Sequence, residues 1–298
     1  MIKKYFALMM TVSLAGLAAF GQGKDNMQEL ETKIRSVLNN EKGVFAVALV
    51  DIGSGRHLFI NEKESFHAAS TMKTPVMIEV YKQVAKGLIS LSDSVLIQNR
   101  FYSIVDNSPY SLNPDDDSEK DLYLRLGTKA TLTELLYKMI TVSSNLSTNL
   151  IISLVGAKNV SASMQELGAG DIHVMRGVED SKAFEQGMNN TVTAFDLMLL
   201  FEKMAKGQLV SHASSMDMIR ILLDQQFNEI IPANLPASVK VAHKTGSING
   251  TEHDSGIVFL PDGRQYVLVI LSKNLTDTDA AVKAMARVSG LVYQHLKS

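Results

Sequence analysis

Strand-like segments at the two ends of this chain enclose a long middle part in which apolar residues recur at helical spacing. Near the amino end, residues 43–50 form an apolar run, and a glycine-containing turn leads from it to residues 56–60. Near the carboxyl end, residues 239–244, 256–260 and 265–271 have the same strand-like character. Because both ends supply strands, we expect one antiparallel sheet built from the two ends of the chain.

The middle of the chain is predicted to be mostly helical. Five segments there place apolar residues on one face of a helix: 71–86, 132–142, 145–155, 192–206 and 214–224. The chain has 298 residues, and 46% of them are hydrophobic, so it can bury a large core. Amphipathic helices are also expected on either side of this middle part, at residues 27–38 and 278–296.

The predicted fold class is α/β, more narrowly α+β, with a five-stranded antiparallel sheet flanked by helices and an inserted all-helical subdomain. We expect one catalytic domain at residues 22–298. Its sheet part covers about residues 24–69 and 228–298, and its helical part about residues 70–227. The cleft between the two parts is the natural place for a functional site.

The first residues differ in kind from the rest of the chain. Lys3 and Lys4 precede an uncharged apolar stretch at residues 5–20, which ends in small residues. This pattern predicts a secretory signal peptide at residues 1–21, and therefore a secreted or periplasmic protein. The alternative is an uncleaved membrane anchor, but the stretch is shorter than the roughly 20 residues that a spanning helix needs. We therefore expect no stable membrane anchor after cleavage.

Composition narrows the range of possible chemistry. The chain has no cysteine, which excludes a disulfide framework and a thiolate nucleophile. Its seven histidines show no metal-ligand spacing, so we predict no metal and no cofactor. A net charge of −2 offers no basic surplus for phosphates, so nucleic acid is not the expected partner. We expect a monomer that acts on a small molecule or a peptide-like substrate.

Ser70 opens the only S-x-x-K pattern in the chain, at the start of a predicted helix. A serine at this place is commonly a helix cap. The alternative is catalytic: residues three apart share a helix face, so the amine of Lys73 would lie beside the Ser70 hydroxyl. Burial or neighbouring positive charge would lower the pKa of that amine and make it a base.

Two further short motifs carry polar groups at element boundaries. Ser143-Ser144-Asn145 lies between two helical patterns, where a helix break with a polar cap is the simpler interpretation. Lys244-Thr245-Gly246, the only K-T-G in the chain, ends a strand, where lysine and glycine are ordinary. Each motif is weak alone, but the order of all three matches a known constellation.

With these motifs the chain resembles the penicillin-recognising serine enzymes, and among them the class A β-lactamases. The resemblance covers nearly the whole chain after the signal peptide. It implies that Ser70 is the nucleophile and that Lys73 is its base or proton relay. It also implies that Ser143 delivers a proton to the departing nitrogen.

The same resemblance implies how a substrate is held. Asn145 would bind the substrate's side-chain amide, while Lys244 and Thr245 would bind its carboxylate. The backbone N–H groups of Ser70 and Ser247 would form the oxyanion hole. The expected substrate is a β-lactam or a peptide resembling those of peptidoglycan.

The chain departs from class A enzymes in the loop after the second motif. Those enzymes activate water with a glutamate, held with an asparagine four residues later. Here Glu179 is followed four residues later by Ala183. Glu179 and Glu185 are the candidate bases. The alternative is that Glu179 is a structural partner, with Arg176 as its expected counterion.

Two other segments need an interpretation. The region after Lys244 lacks the arginine with which many class A enzymes bind carboxylate, and His253 is expected either to line the site or to pair with Asp254. Residues 100–127 are expected to form a long surface excursion. Its alternating acids, which include Asp117 and Glu119, suggest either calcium or a solvated loop. The absence of an EF-hand glycine favours the loop.

Three functions remain open at this stage. The leading one is a β-lactamase that completes acylation and hydrolysis. The second is a peptidase acting on D-alanyl-D-alanine ends, or another serine amidase or esterase. The third is a penicillin-binding protein that stays acylated without efficient turnover. The motif set and the single-domain size favour the first function, whereas the altered loop favours the second.

Overall fold

A five-stranded antiparallel sheet forms the centre of the molecule, and it confirms the predicted fold class. The computed structural model describes residues 15–297. The strands are β1 (Val44–Asp51), β2 (His57–Ile60), β3 (Lys240–Ile248), β4 (Thr251–Phe259) and β5 (Gln265–Lys273). Their order across the sheet is β2-β1-β5-β4-β3. The two ends of the chain therefore meet in the β1–β5 pair.

Helices cover both faces of this sheet. They are α1 (Ala15–Leu38), α2 (Lys73–Ala85), α3 (Leu132–Thr141), α4 (Asn145–Val155), α5 (Ala157–Glu166), α6 (Ser181–Glu185), α7 (Ala194–Ala205), α8 (His212–Leu223) and α9 (Thr278–Leu296). Helix α5 was not predicted, because its sequence is mostly polar and its only fully buried apolar residues are Val160 and Met164.

The sheet is apolar on both faces. Successive residues of a strand point to opposite sides. In β1, Ala46 and Ala48 face the helical part, whereas Val47 and Leu49 pack with α1 and α9. This two-sided burial explains why the strand is a continuous apolar run. The small alanines face α7, which packs against β1, β4 and β5.

The predicted helix at residues 71–86 is divided in the structure. A 3₁₀ turn, Ala69–Met72, precedes α2 and lies against β3. A Cβ atom at Gly246 would lie 3.0 Å from the backbone nitrogens of Ser70 and Thr71, so only glycine allows this approach. The helical part and the sheet thus come together at the first and third motifs.

The excursion at residues 100–127 contains a short ribbon and two 3₁₀ turns. The prediction of a solvated loop is wrong for Asp117 and Glu119, which are only 3% and 7% exposed. Alternate side chains of an extended segment point to opposite sides, and these two point inward. Among the described residues, no group of three or more acids and histidines is arranged to hold a metal.

The predicted signal peptide lies largely outside the described residues, which begin at residue 15. Between residues 15 and 297, no helix combines the length and the apolar character that a membrane span requires.

Candidate active site

Ser70 lies in a strained but well-supported turn. Ala69 has a φ of +43°, a left-handed conformation that costs a residue other than glycine about 1 kcal/mol or more. Nδ1 of His67 accepts the Ala69 N–H at 3.0 Å, and the hydroxyl of Thr71 donates to the Ala68 carbonyl. Met72, rather than Ser70, is the N-cap of α2. The cap interpretation therefore fails for Ser70, which lines a cavity of about 800 Å³.

Two buried lysines converge on the Ser143 hydroxyl. Nζ of Lys73 lies 3.1 Å from Ser143 Oγ, and Nζ of Lys244 lies 3.0 Å from the same atom. Lys73 also donates to the Ser143 carbonyl at 2.7 Å and to Asn145 Oδ1 at 3.0 Å. Since both lone pairs of Ser143 Oγ can accept from lysine, its own proton is available to a third partner.

Burial sets the proton affinity of these amines. It lowers the pKa of Lys73 to about 7, although the charges of Asp117 and Glu179 oppose the shift. Burial, followed by repulsion from Lys73, lowers the pKa of Lys244 well below its usual value. A dry environment disfavours an ammonium ion, so a substantial fraction of Lys73 is neutral near pH 7.

The junction of α3 and α4 separates a catalytic serine candidate from a capping one. Ser143 has a φ of +56° and lines the cavity. Ser144 is the N-cap of α4, and its hydroxyl accepts the Ser147 N–H at 3.2 Å. The helix-cap interpretation therefore belongs to Ser144, which leaves the Ser143 side chain facing the lysines.

Asn145 connects Lys73 to Glu179. Its Oδ1 accepts from Lys73, and its Nδ2 donates to Glu179 Oε1 at 2.9 Å. The other Glu179 oxygen accepts the Asn113 N–H at 3.2 Å. Burial raises the pKa of the Glu179 carboxyl, and the hydrogen bonds from Asn113 and Asn145 oppose that shift. Glu179 lines the same cavity as Ser70, whereas Glu185 is exposed and does not line it.

Arg176 is not the partner of Glu179. The buried guanidinium donates to the carbonyls of Met188 and Gly177, at 2.9 and 3.0 Å, and to Asn189 Oδ1 at 3.0 Å. Arg176 therefore joins the beginning and the end of the loop at residues 175–190 by hydrogen bonds. This result corrects the expected ion pair with Glu179.

Sequence reasoning missed the residues that hold this loop. Asn149 donates to the Val178 carbonyl at 3.0 Å and accepts the Val178 N–H at 2.7 Å. Asp180 is buried and accepts from the Ser103 hydroxyl at 2.8 Å and the Ile104 N–H at 2.9 Å. The position of Asn149, one helical turn after Asn145 on α4, is the one signal that could have indicated it.

The β3 side of the cavity presents Thr245, Gly246 and Ser247. The hydroxyl of Ser247 donates to Glu252 Oε1 at 2.8 Å, and Glu252 also lines the cavity. The region after Lys244, where the sequence lacks a carboxylate-binding arginine, therefore presents an acidic side chain to the cavity. Burial raises the pKa of Glu252, and the Ser247 hydrogen bond opposes that shift.

The structure differs from the expectations for His253. Its ring is fully buried, its Nδ1 accepts the Ser272 N–H at 3.2 Å, and its Nε2 donates to the His67 carbonyl at 2.8 Å. Burial lowers the pKa of His253 to about 4, so the ring is neutral. It supports the segment before Ser70 instead of lining the cavity. Asp254 pairs with His243 at 2.9 Å, not with His253.

Comparison with known proteins places this geometry in a family. The family model described as "Beta-lactamase enzyme family" matches residues 29–296. A curated β-lactamase of Bacteroides uniformis is 27% identical over 310 residues, which cover 99% of this chain and all of that protein.

Solved structures agree with this match. A β-lactamase of Sphaerobacter thermophilus superposes with a TM-score of 0.75 at 26% identity, covering 89% of this chain and 95% of that one. A mutant of PBP-A, solved as an acyl-enzyme complex with penicillin G, superposes with a TM-score of 0.78 at 25% identity. The match covers 91% of this chain and 97% of that one. Since the family model spans nearly all of the described residues, the chain belongs to the β-lactamase enzyme family.

Proposed function

We propose that this protein is a serine hydrolase that opens the β-lactam ring through an acyl-enzyme on Ser70. One observation carries the proposal: the Ser143 hydroxyl lies within hydrogen-bond distance of two fully buried lysines, in the cavity that Ser70 lines. This arrangement supports proton transfer from a serine nucleophile to a leaving nitrogen. Family membership supports a small β-lactam as the substrate.

In the acylation step, neutral Lys73 takes the proton of the Ser70 hydroxyl as Oγ bonds to the carbonyl carbon. The carbonyl oxygen gains negative charge, which the backbone N–H groups of Ser70 and Ser247 would stabilise. As the ring C–N bond breaks, Ser143 gives its proton to the nitrogen and recovers one from Lys73. The close approach of Gly246 to the Ser70 turn supports this pairing of backbone donors.

In the deacylation step, we assign Glu179 as the base that takes a proton from the attacking water. Its support is its place in the same cavity, its hydrogen bond to Asn145, and a pKa raised by burial towards the range of a useful base. Water then replaces Ser70 on the acyl carbon as the ester C–O bond breaks. The departing Ser70 oxygen takes up the proton that Glu179 removed from the water, so the serine leaves as a neutral hydroxyl and Glu179 returns to its carboxylate form.

One observation favours a second candidate, a penicillin-binding protein that turns over slowly. Both oxygens of Glu179 already accept hydrogen bonds, from Asn145 and Asn113. The residue four positions later is the buried Ala183, which offers no polar side chain to hold a water. In this candidate, acylation proceeds as above and hydrolysis of the ester is slow.

Covalent labelling by a fluorescent penicillin tests the proposal. We expect Ser70→Ala to abolish labelling, because no oxygen remains to form the ester. Ser144→Ala is the matched control, since that serine caps α4, and it should retain most of the labelling. Labelling that survives the loss of Ser70 would overturn the proposal.

A further inference from the structure

We propose that Asp117 is a positioning residue for acylation, whose buried carboxylate fixes the turn that carries Ser143 and Asn145 and supplies negative charge close to Lys73. This inference rests on the proposed function, because it concerns the same amine and the same serine. Asp117 comes from the excursion at residues 100–127, outside all three sequence motifs.

The carboxylate of Asp117 is held by four donors. The Asn145 N–H lies 3.0 Å from both oxygens, and the Leu146 N–H lies 2.9 Å from Oδ2. The Glu119 N–H and the Tyr123 hydroxyl complete the set at 3.1 and 2.9 Å. A carboxylate that is 3% exposed and accepts from four donors is held in a single orientation.

These contacts complete the amino-terminal cap of α4. The first backbone N–H groups of a helix have no acceptor within the helix itself. The Ser144 hydroxyl accepts the Ser147 N–H, and Asp117 accepts the N–H groups of Asn145 and Leu146. The positive end of the helix dipole also favours a carboxylate there. Asp117 therefore fixes the backbone of Asn145, whose side chain contacts both Lys73 and Glu179.

Asp117 also acts on the charge of Lys73. The hydrogen-bond partners of Lys73 are all neutral groups, on Ser143 and Asn145. The carboxylates that favour its ammonium form are Asp117 first and Glu179 second. Among the neighbouring titratable groups, Tyr123 donates to Asp117, Glu119 is paired with Lys138 at 2.8 Å, and Lys244 faces Lys73 across the Ser143 hydroxyl. Loss of the Asp117 charge therefore lowers the pKa of Lys73 further.

Single-turnover acylation by benzylpenicillin, quenched and followed by intact-protein mass between pH 5 and 9, tests this role. We expect Asp117→Asn to slow acylation about tenfold or more, because an amide cannot accept from four donors. Neutral Lys73 is the reactive form, so a lower pKa moves the acid limb of the profile to lower pH, by about half a unit or more. A purely structural residue would reduce the rate and the melting temperature without moving the limb.

Glu119→Gln is the matched control. Glu119 is a buried carboxylate of the same segment, but it accepts from Lys138 and from the N–H groups of Asp121 and Leu122 instead of Asn145. We expect this variant to lose stability and to keep the acid limb in place. An unmoved limb in folded Asp117→Asn, or an equal shift in Glu119→Gln, would overturn the proposal.

A second-site rescue covers the case in which Asp117→Asn does not fold. Aspartate is a good helix cap, so Ser144→Asp would return a carboxylate to the amino end of α4. We expect Asp117→Asn/Ser144→Asp to fold and to acylate at least about fivefold faster than Asp117→Asn. Where Asp117→Asn is unfolded, we expect the acylation rate of the double variant to lie within about tenfold of the wild-type rate. A folded double variant without that recovery contradicts the inference. If the wild type forms no Ser70-dependent adduct, the proposed function itself fails.

Discussion

Two regions of the cavity are held in place in different ways. The floor is Ser143 with Lys73 and Lys244 beneath it, and the rim is the loop at residues 175–190. On the floor, the chemical side chains themselves are locked: Lys73 and Lys244 are fully buried, and both contact Ser143. On the rim, the loop at residues 175–190 is locked by Asn149, Arg176 and Asp180, while the candidate base Glu179 is only half-buried.

This difference separates two kinds of constraint. The floor fixes reacting atoms, so a change there removes chemistry directly. The rim fixes the path of the backbone, so the side chain that meets a water can differ while the loop keeps its shape. We therefore expect acylation to depend steeply on the floor, and deacylation to depend on the rim.

Replacement of Lys73 is the sharpest way to break the floor. Lys73→Met preserves an unbranched apolar stem and removes the amine, so we expect acylation to fall by about 10² to 10⁴. The measurement is the rate of adduct formation by stopped-flow and mass spectrometry. Lys120→Met, at an exposed lysine, should leave that rate unchanged. A fall of less than about tenfold in Lys73→Met would remove this amine from the base role.

Glu179→Gln tests whether the rim acts on the second half of the reaction. We expect hydrolysis of the acyl-enzyme to slow about 100-fold, and acylation to change less than about threefold, because only the water attack loses its base. Decay of the isolated adduct gives the first rate directly. Glu185→Gln, at an exposed position of the same loop, is the control. Equal decay in wild type and Glu179→Gln would exclude this carboxylate.

The pH dependence of acylation should follow the titration of Lys73. Burial lowers the pKa of Lys73 to about 7, and the neutral amine is the reactive form. Acylation should therefore rise with pH to a plateau, with roughly one tenth of the plateau rate remaining one unit below that pKa. Single-turnover rates between pH 5 and 9 measure the limb. A rate independent of pH across this range would contradict a titrating lysine base.

Gly177→Ala probes the anchoring of the rim. A Cβ atom there would lie 2.3 Å from Asn149 Oδ1. The Asn149 side chain, which forms the clamp of two hydrogen bonds to the Val178 backbone, must therefore shift. We expect a stability loss of about 1–3 kcal/mol, and a fall in deacylation that exceeds any fall in acylation. Gly170→Ala, where a Cβ meets nothing within 4 Å, is the control for thermal unfolding and for both rates. Equal effects of the two substitutions would contradict the clamp.

Much of the fold follows from the pattern of apolar residues in the sequence. The strands of the sheet are visible as short apolar runs, and the helix at residues 278–296 is visible because apolar residues repeat at 3.6-residue spacing. The three motifs indicated which floor residues to examine. The 3₁₀ turn at Ser70 is not visible in this way, because a serine before a helix has the same appearance as a cap.

Long-range hydrogen bonds account for what the sequence did not reveal. Asp117 lies in a polar stretch that is typical of a loop, and only the packing of α4 against that stretch shows its acceptor role. His253 lies among polar residues after a catalytic motif, yet the His67 carbonyl and the Ser272 N–H satisfy its ring inside the protein. Partners so distant in sequence cannot be inferred from one chain by local pattern.

The most direct test of the proposed mechanism mixes the protein with a chromogenic cephalosporin and follows intact mass and ring opening together. If the mechanism is correct, wild type shows a mass gain that appears and clears over many turnovers, Glu179→Gln shows a persistent gain, and Ser70→Ala shows none. Ring opening by Ser70→Ala, or one permanent adduct per wild-type chain, would contradict it.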